Sequence, residues 1–256
     1  IKADHLLGFD EIPLQNSDPR NQDAVQLLGR PAGDGLITIR ETDRMLVLSC
    51  EQFTYVFNKL TGLFDKMTFA NEPLLDQPMG FNVWRAPTDN DRKLKADWYA
   101  AHYDHAATNA YHTEYTVTAS GVTLHTHVGI AAICVQKFLD LDVTWTVANN
   151  GSVDLALHAQ RNTVFPELPR FGLRLFLPQE MSQVNYYGMG PMECYCDKHH
   201  AASHNSYTAT VWQLHEDYIR PQENGSHFDC DYVMLAGDAV RLTAVGTQPF
   251  SFNASH

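Results

Sequence analysis

Residues 139–158, Leu139-Asp140-Leu141-Asp142-Val143-Thr144-Trp145-Thr146-Val147-Ala148-Asn149-Asn150-Gly151-Ser152-Val153-Asp154-Leu155-Ala156-Leu157-His158, decide the fold class. Leu139, Leu141, Val143, Trp145 and Val147 alternate with Asp140, Asp142, Thr144 and Thr146, the two-residue period of a half-buried strand. Asn149-Asn150-Gly151 follows, a run of residues that tolerate turn geometry, and Val153, Leu155 and Leu157 resume the alternation on the way back. The stretch predicts a hairpin closed by a tight turn.

The same signature spreads outward. Phe53, Tyr55 and Phe57 alternate before Leu60-Thr61-Gly62, with Leu63 to Phe69 returning, and Tyr115-Val117 pairs with Val122-Leu124 around Ser120-Gly121. One helix is indicated over roughly 93–103, where Leu94, Trp98 and Ala101 fall at i, i+4 and i+7. No stretch alternates strand with helix, so a (β/α)8 barrel, which needs about 250 residues of that alternation, is excluded. The chain reads as mostly antiparallel β. Trp84, Trp145 and Trp212 are expected in the core of such strands rather than as sugar-stacking platforms.

The 256 residues carry a net charge of −12, which sets the surface against phosphate backbones and anionic lipid; nucleic acid and membrane are not expected partners. No run approaches the roughly 18 apolar residues of a spanning helix. The cysteines, Cys50, Cys134, Cys194, Cys196 and Cys230, are odd in number and irregular in spacing, which points to free thiols in a reducing compartment such as the cytoplasm. Ile1 is neither an initiator nor the start of a signal peptide, so the sequence reads as a segment of a longer protein. The Asn-x-Ser triplets at Asn150, Asn224 and Asn253 read as chance occurrences.

Three stretches mix turn formers, aromatics and charges in a way that strand pairing does not require. They are Trp84-Arg85-Ala86-Pro87-Thr88-Asp89-Asn90-Asp91; Tyr187-Gly188-Met189-Gly190-Pro191-Met192-Glu193-Cys194-Tyr195-Cys196-Asp197; and Tyr218-Ile219-Arg220-Pro221-Gln222-Glu223-Asn224-Gly225. In content and order they resemble the C-terminal domain of the family 2 β-galactosidases, whose pattern runs R-A-P-x-D-N-D, G-x-G-P-x-E-x-Y-x-D-R and Y-x-x-P-Q-E-N-G. The likeness extends from about residue 40 to the end and takes in the Trp98 helix and Pro249-Phe250-Ser251-Phe252-Asn253.

The resemblance implies a large antiparallel supersandwich similar to galactose mutarotase over 36–256, truncated at its C-terminal end. Before it would come a linker over 16–35 and, over 1–15, the last strand of an immunoglobulin-like domain. It implies a retaining hydrolase of terminal non-reducing β-D-galactose residues, whose two glutamates act across about 5 Å in a barrel domain outside this chain. It also implies that Mg²⁺ and Na⁺ serve the whole enzyme, mainly in other domains, with no cofactor in this segment. The partners it implies are the barrel and immunoglobulin-like domains within a homo-oligomer, with the β-galactoside bound only by the full enzyme. The aromatic that the family brings to the active site from its last stretch lies beyond Ser255-His256.

On this view no residue here is catalytic and none ligates metal. Arg85, Asp89, Asn90, Asp91, Glu193, Tyr195, Asp197, Glu223 and Asn224 are candidates for loops on the substrate side or at a domain interface. Read without the family, Asp89, Asn90 and Asp91 could take a cation or sugar hydroxyls, but a turn capped by Asx side chains and tied down by Arg85 is favoured. Glu193 with Asp197, and Glu223 with Asn224, invite a mutarotase-like base and acid in an autonomous carbohydrate-binding module. Pairing of these carboxylates with Arg85, Lys198 or backbone amides is favoured instead. Cys194, Cys196, His199, His200 and His204 have zinc-ligand chemistry, but Cys-x-Cys is not the usual ligand spacing. The chain departs from the pattern in three places: Lys198 stands where Arg is usual, Cys196 where Pro is common, and Ser226-His227 where Asn-Arg or Leu-Arg is usual. A lysine or neutral histidine does not reproduce a guanidinium fork.

Overall fold

The computed structural model describes residues 9–12 and 35–255. Every strand ladder among them is antiparallel, so the chain is all-β as the alternation predicts. The described residues form two compact units, 35–178 and 179–255, the latter with 9–12. The strand expected over 1–15 and the linker over 16–35 fall, apart from 9–12 and 35, outside the described residues. Residues 9–12 carry no strand pairing.

In the first unit β1 (Thr38–Glu41), β2 (Met45–Ser49), β3 (Phe53–Asn58), β4 (Leu63–Phe69) and β5 (Glu72–Pro73) form a five-stranded meander. β6 (Gln77–Asn82) is followed by helix α1 (Lys95–Ala100), and then β7 (Ala107–Thr118), β8 (Gly121–Ala131), β9 (Leu139–Ala148) and β10 (Val153–Arg161) make a second sheet in the order β10-β9-β8-β7. β11 (Gly172–Phe176) returns to pair with β6. The stretch at 139–158 is the predicted hairpin, with Val153, Leu155 and Leu157 opposite Val147, Trp145 and Val143. Its loop spans four residues: Gly151 donates to the Ala148 carbonyl, and the Ala148 amide reaches Ser152.

The alternation predicts a buried face, and a second sheet covers it. Leu139, Leu141, Val143, Trp145 and Val147 of β9 are buried, as are Phe53, Tyr55 and Phe57 of β3. The two faces interlock at Trp145, whose indole N–H donates to the Gly62 carbonyl at 3.0 Å while its ring meets Phe64 edge-on at 5.3 Å. Tyr55 closes the other end, its hydroxyl donating to the Gly151 carbonyl at 2.8 Å. This is a sandwich of two sheets held by side chains that alternate inward.

The predicted helix is shorter than its periodicity suggests. Residues 89–93 and 103–105 are 3₁₀ turns flanking α1. Trp98 and Ala101 are buried as expected, but Leu94 caps the helix and is exposed, because the element is too short to carry three positions of one stripe. Trp84 packs on Tyr99 at 5.1 Å, half-buried. Trp212, expected in the core, is instead exposed on the 3₁₀ turn at 211–214, since an irregular segment there replaces the alternating strand.

The second unit is one four-stranded sheet, β13-β12-β14-β15, built from β12 (Gln183–Gly190), β13 (Ser203–Thr210), β14 (Ser226–Ala236) and β15 (Arg241–Asn253). Val184, Tyr186, Val211, Leu214, Cys230, Val233 and Phe252 form its core. At the β13 edge the His204 amide donates to the Glu11 carboxylate at 2.9 Å, the Ser206 amide to the Asn205 side chain, and the Thr210 amide to Gln213. All five cysteines are free, with Cys194 and Cys230 buried and Cys134 and Cys196 exposed. No helix among the described residues is long and apolar enough to cross a membrane.

Trp145→Phe keeps a ring in the sandwich but leaves the Gly62 carbonyl without its donor, so urea unfolding should show a loss of about 1–3 kcal/mol. Trp145→Ala should cost about 3–5 kcal/mol through the cavity it leaves. Equal losses from the two variants would contradict the separate contribution of the hydrogen bond.

Candidate functional site

The first motif lies in the unit at 35–178. Pro87 and Thr88 lead into the 3₁₀ turn at Asp89–Lys93, and the turn folds Asp91 back under the loop. Arg85 meets the Asp91 carboxylate as a fork, with Nη1 to Oδ2 at 2.5 Å and Nη2 to Oδ1 at 2.8 Å. The Thr88 amide and hydroxyl donate to the same Oδ2 at 2.7 and 2.9 Å. Arg85 Nε reaches the Pro169 carbonyl at 3.3 Å, and its guanidinium lies 5.3 Å from the Trp98 ring centroid. Trp98 in turn donates its indole N–H to the Glu167 carbonyl. One ion pair therefore ties the loop, α1 and the 166–169 segment together. Burial would raise the Asp91 carboxyl, but the donors from Arg85 and Thr88 outweigh it and hold it below the ordinary carboxylate range.

The second and third motifs meet in the other unit. The second begins within β12 and runs past its end, and the third precedes β14, so strand pairing between β12 and β14 brings their loops to one end of the sheet. Glu193 is the hub, with a side chain only 4% exposed. Lys198 Nζ donates to Oε1 at 2.7 Å, and the Tyr218 hydroxyl makes a short hydrogen bond to the same oxygen. The Gly225 amide donates to Oε2 at 3.0 Å, and Tyr195 approaches Oε2 at 3.4 Å. Gly225 has φ +69°, and a Cβ there would come within 2.6 Å of the Leu214 carbonyl oxygen, so only glycine aims this amide at the carboxylate.

Burial works to raise the Glu193 carboxyl, but hydrogen bonds from Lys198, Tyr218 and Gly225 prevail and lower it below its ordinary value. Glu193 in turn raises Tyr218 and Lys198 as acids, so phenol and ammonium both keep their protons. Tyr195 is raised chiefly by burial and secondarily by the Glu193 charge. Lys198 replaces the usual arginine with a point charge, which reaches Oε1 and the Tyr218 oxygen but leaves Oε2 to Gly225 and Tyr195. His227, at the other departure, is fully buried against Tyr186 and Phe252, with Nδ1 3.0 Å from the Tyr186 hydroxyl and Nε2 without a hydrogen-bond partner. Burial lowers its pKa, so the imidazole is neutral at pH 7.

The remaining candidates lie outside these hubs. Asp89 and Asn90 are exposed on the turn, and Asp197 is exposed one residue before Lys198. Glu223 and Asn224 are half-buried and anchor to β15 through Asn253, whose amide donates to the Glu223 carboxylate and the Asn224 carbonyl. Asn224 Oδ1 accepts the Glu216 amide and so closes the base of the 215–224 loop. The structure thus joins the second motif to the third, while the first forms its own clamp. Of the zinc-type residues, Cys194 accepts the Phe228 amide, His199 stacks on His200, and His204 turns to Asp229 and Asp231. Among the described residues, no three such side chains gather to hold a metal ion. Tyr218 and Gly225 are not among the residues that the sequence marks as candidates, although both lie in the third motif, as an aromatic and a glycine bracketing its Pro-Gln-Glu-Asn centre.

Comparison with known proteins matches residues 49–256 to the family described as "Beta galactosidase small chain". Over its whole length the chain is 35% identical to a β-galactosidase of Actinobacillus pleuropneumoniae, of which it covers 24%. It is 32% identical over 98% of its length to one of Staphylococcus xylosus, covering 25% of that protein, and 26% identical over 91% to one of Pseudoalteromonas haloplanktis, covering 23%. The chain spans about a quarter of the length of the curated relatives it matches.

Because the Glu193 carboxyl is depressed below its ordinary 4.5, its ionised form contributes stability that is present above about pH 4.5 and lost as pH falls through the folded value. Glu193→Gln should therefore cost about 1–3 kcal/mol at pH 7, as for weakening charge-assisted hydrogen bonds to a buried acceptor whose lysine partner is itself solvent-exposed, and clearly less at acid pH. Parallel urea titrations across pH would show a constant difference if the charge did not matter.

Proposed function

The chain belongs to the β-galactosidase small-chain family, and from that premise we propose that it is the closing, non-catalytic sandwich of a β-galactosidase. The whole enzyme hydrolyses terminal non-reducing β-D-galactose residues with retention of configuration. One glutamate attacks the anomeric carbon and a second protonates the leaving oxygen and then activates water, the two standing about 5 Å apart in the barrel domain. This chain supplies neither. Its part is to hold shaped loops beside that barrel, with Arg85 and Asp91 fixing one and Glu193, Tyr195, Glu223 and Asn224 the others. Asp89, Asn90 and Asp197 lie on the outer surface of those loops, where a neighbouring domain or substrate-side water would meet them.

The observation that carries this reading is how the motif carboxylates are committed. Asp91 accepts an arginine fork and two Thr88 donors, and Glu193 accepts a lysine, a phenol and an amide. A general base needs a lone pair directed at its substrate, and both carboxylates are buried with their oxygens turned toward these donors. The same commitment disfavours an autonomous mutarotase-like module. It also leaves these oxygens badly suited to a cation, so Mg²⁺ and Na⁺, where the parent uses them, are assigned to its other domains and no step here runs through them. The parent is proposed to be a homo-oligomer that includes the barrel and immunoglobulin-like domains.

The purified chain alone should not hydrolyse a chromogenic β-galactoside, and calorimetry should find no sub-millimolar galactose binding. The full-length parent should turn the substrate over. Hydrolysis by the chain alone, surviving a mock purification from the same host, would overturn the scaffold assignment.

A further inference from the structure

Within residues 179–255 the exposed large apolar side chains are not scattered. Between 179 and 255 the exposed large ones are Met192, Trp212, Tyr218 and Ile219, all in or beside the loops that carry the second and third motifs, while Phe9 and Ile12 lie on the separate 9–12 segment. None lies on a strand of the sheet. Ile219 is 102% exposed, the highest value among the exposed large hydrophobics of the described residues. Yet its loop is not loose. The Tyr218 hydroxyl is fastened to Glu193, the Glu216 amide to Asn224, the Asn224 carbonyl to Asn253, and the Gly225 amide to Glu193. The tip Ile219-Arg220-Pro221 is thus a stiff hook on an anchored base. An aliphatic side chain held in water on a prearranged loop loses burial energy in isolation and little ordering entropy on docking, which is the arrangement of an anchor residue. Next to it Arg220 is exposed and makes no ion pair among the described residues.

We propose that the 218–221 hook docks into another domain of the same polypeptide, in an apolar socket that takes Ile219 and carries a carboxylate at its rim for Arg220. The occupant follows from chain length: the relatives carry the larger part of their polypeptide outside the quarter that this chain matches. The inference rests on the reading of the chain as one domain of a longer enzyme, and adds which residues make the joint and what chemistry receives them. Glu193 then acts at a distance. By holding Tyr218 it sets the angle of the hook, so the most strongly buried carboxylate of the motif is tied mechanically to the domain contact.

The test uses the full-length protein carrying Ile219→Cys, with thiol alkylation followed by peptide-resolved mass spectrometry that separates this position from the native cysteines. In the native protein the substituted position should react at least ~10-fold more slowly than in the same protein unfolded in urea. Adding Arg220→Glu should remove part of that protection by placing like charges together. Labelling within about twofold of the unfolded rate would overturn the proposal. Protection that vanishes on dilution would also overturn it, because the socket would then belong to a second subunit. Galactoside turnover is assayed separately: a protected position in an inactive parent refutes the enzyme assignment and keeps the joint, and the reverse result does the opposite.

Discussion

A carboxylate taken out of water must be met by donors, and in this chain that requirement organises the irregular parts of the structure. Glu193 is shut into the end of a sheet and collects a lysine from its own loop, and a phenol and the amide just before β14 from a second loop. Asp91 does the same in the other unit with an arginine and a threonine. Each loop would be a costly place for a charge without its partners, and the partners have no fixed position without the charge. The strands supply the frame, and these two anions decide how the chain between strands is laid down.

The departures from the family pattern fit this logic unevenly. Lys198 keeps the charge of the usual arginine but not its fork, and the second Glu193 oxygen is met by the Gly225 amide and Tyr195 instead. His227 is a larger change. A guanidinium is always charged, whereas the buried imidazole is neutral, bonds to Tyr186 through one nitrogen and leaves the other without a partner. Here that position serves aromatic packing, with Phe252 stacked on the ring at 5.1 Å. Nothing in the structure explains Cys196, which is exposed.

The sandwich frame was legible because alternation is a property of neighbours in sequence: Phe53 to Phe57 and Leu139 to Val147 state their own buried face, and each is a strand with that face inward. The motif order likewise identified the family before any geometry was known. What the residues did not state were relations across long separations. The hub at Glu193 draws on Tyr218 and Gly225, 25 and 32 residues away, and no local pattern ranks them above the more conspicuous Asp197 or Asn90. Leu94 and Trp212 were misplaced for a related reason. Hydrophobicity says that a side chain favours burial, but a short helix cap and a 3₁₀ turn offer it none.

The β13 edge has a consequence of its own. An open sheet margin offers a row of unmet amides to any extended peptide nearby, and so invites uncontrolled strand-by-strand growth. Here three amides of β13 are already engaged by side-chain oxygens from Glu11, Asn205 and Gln213. Those oxygens act as stoppers along this margin. A large multidomain polypeptide with many sheets in close quarters needs such borders if its domains are to recognise one another through shaped side chains rather than by fusing their backbones.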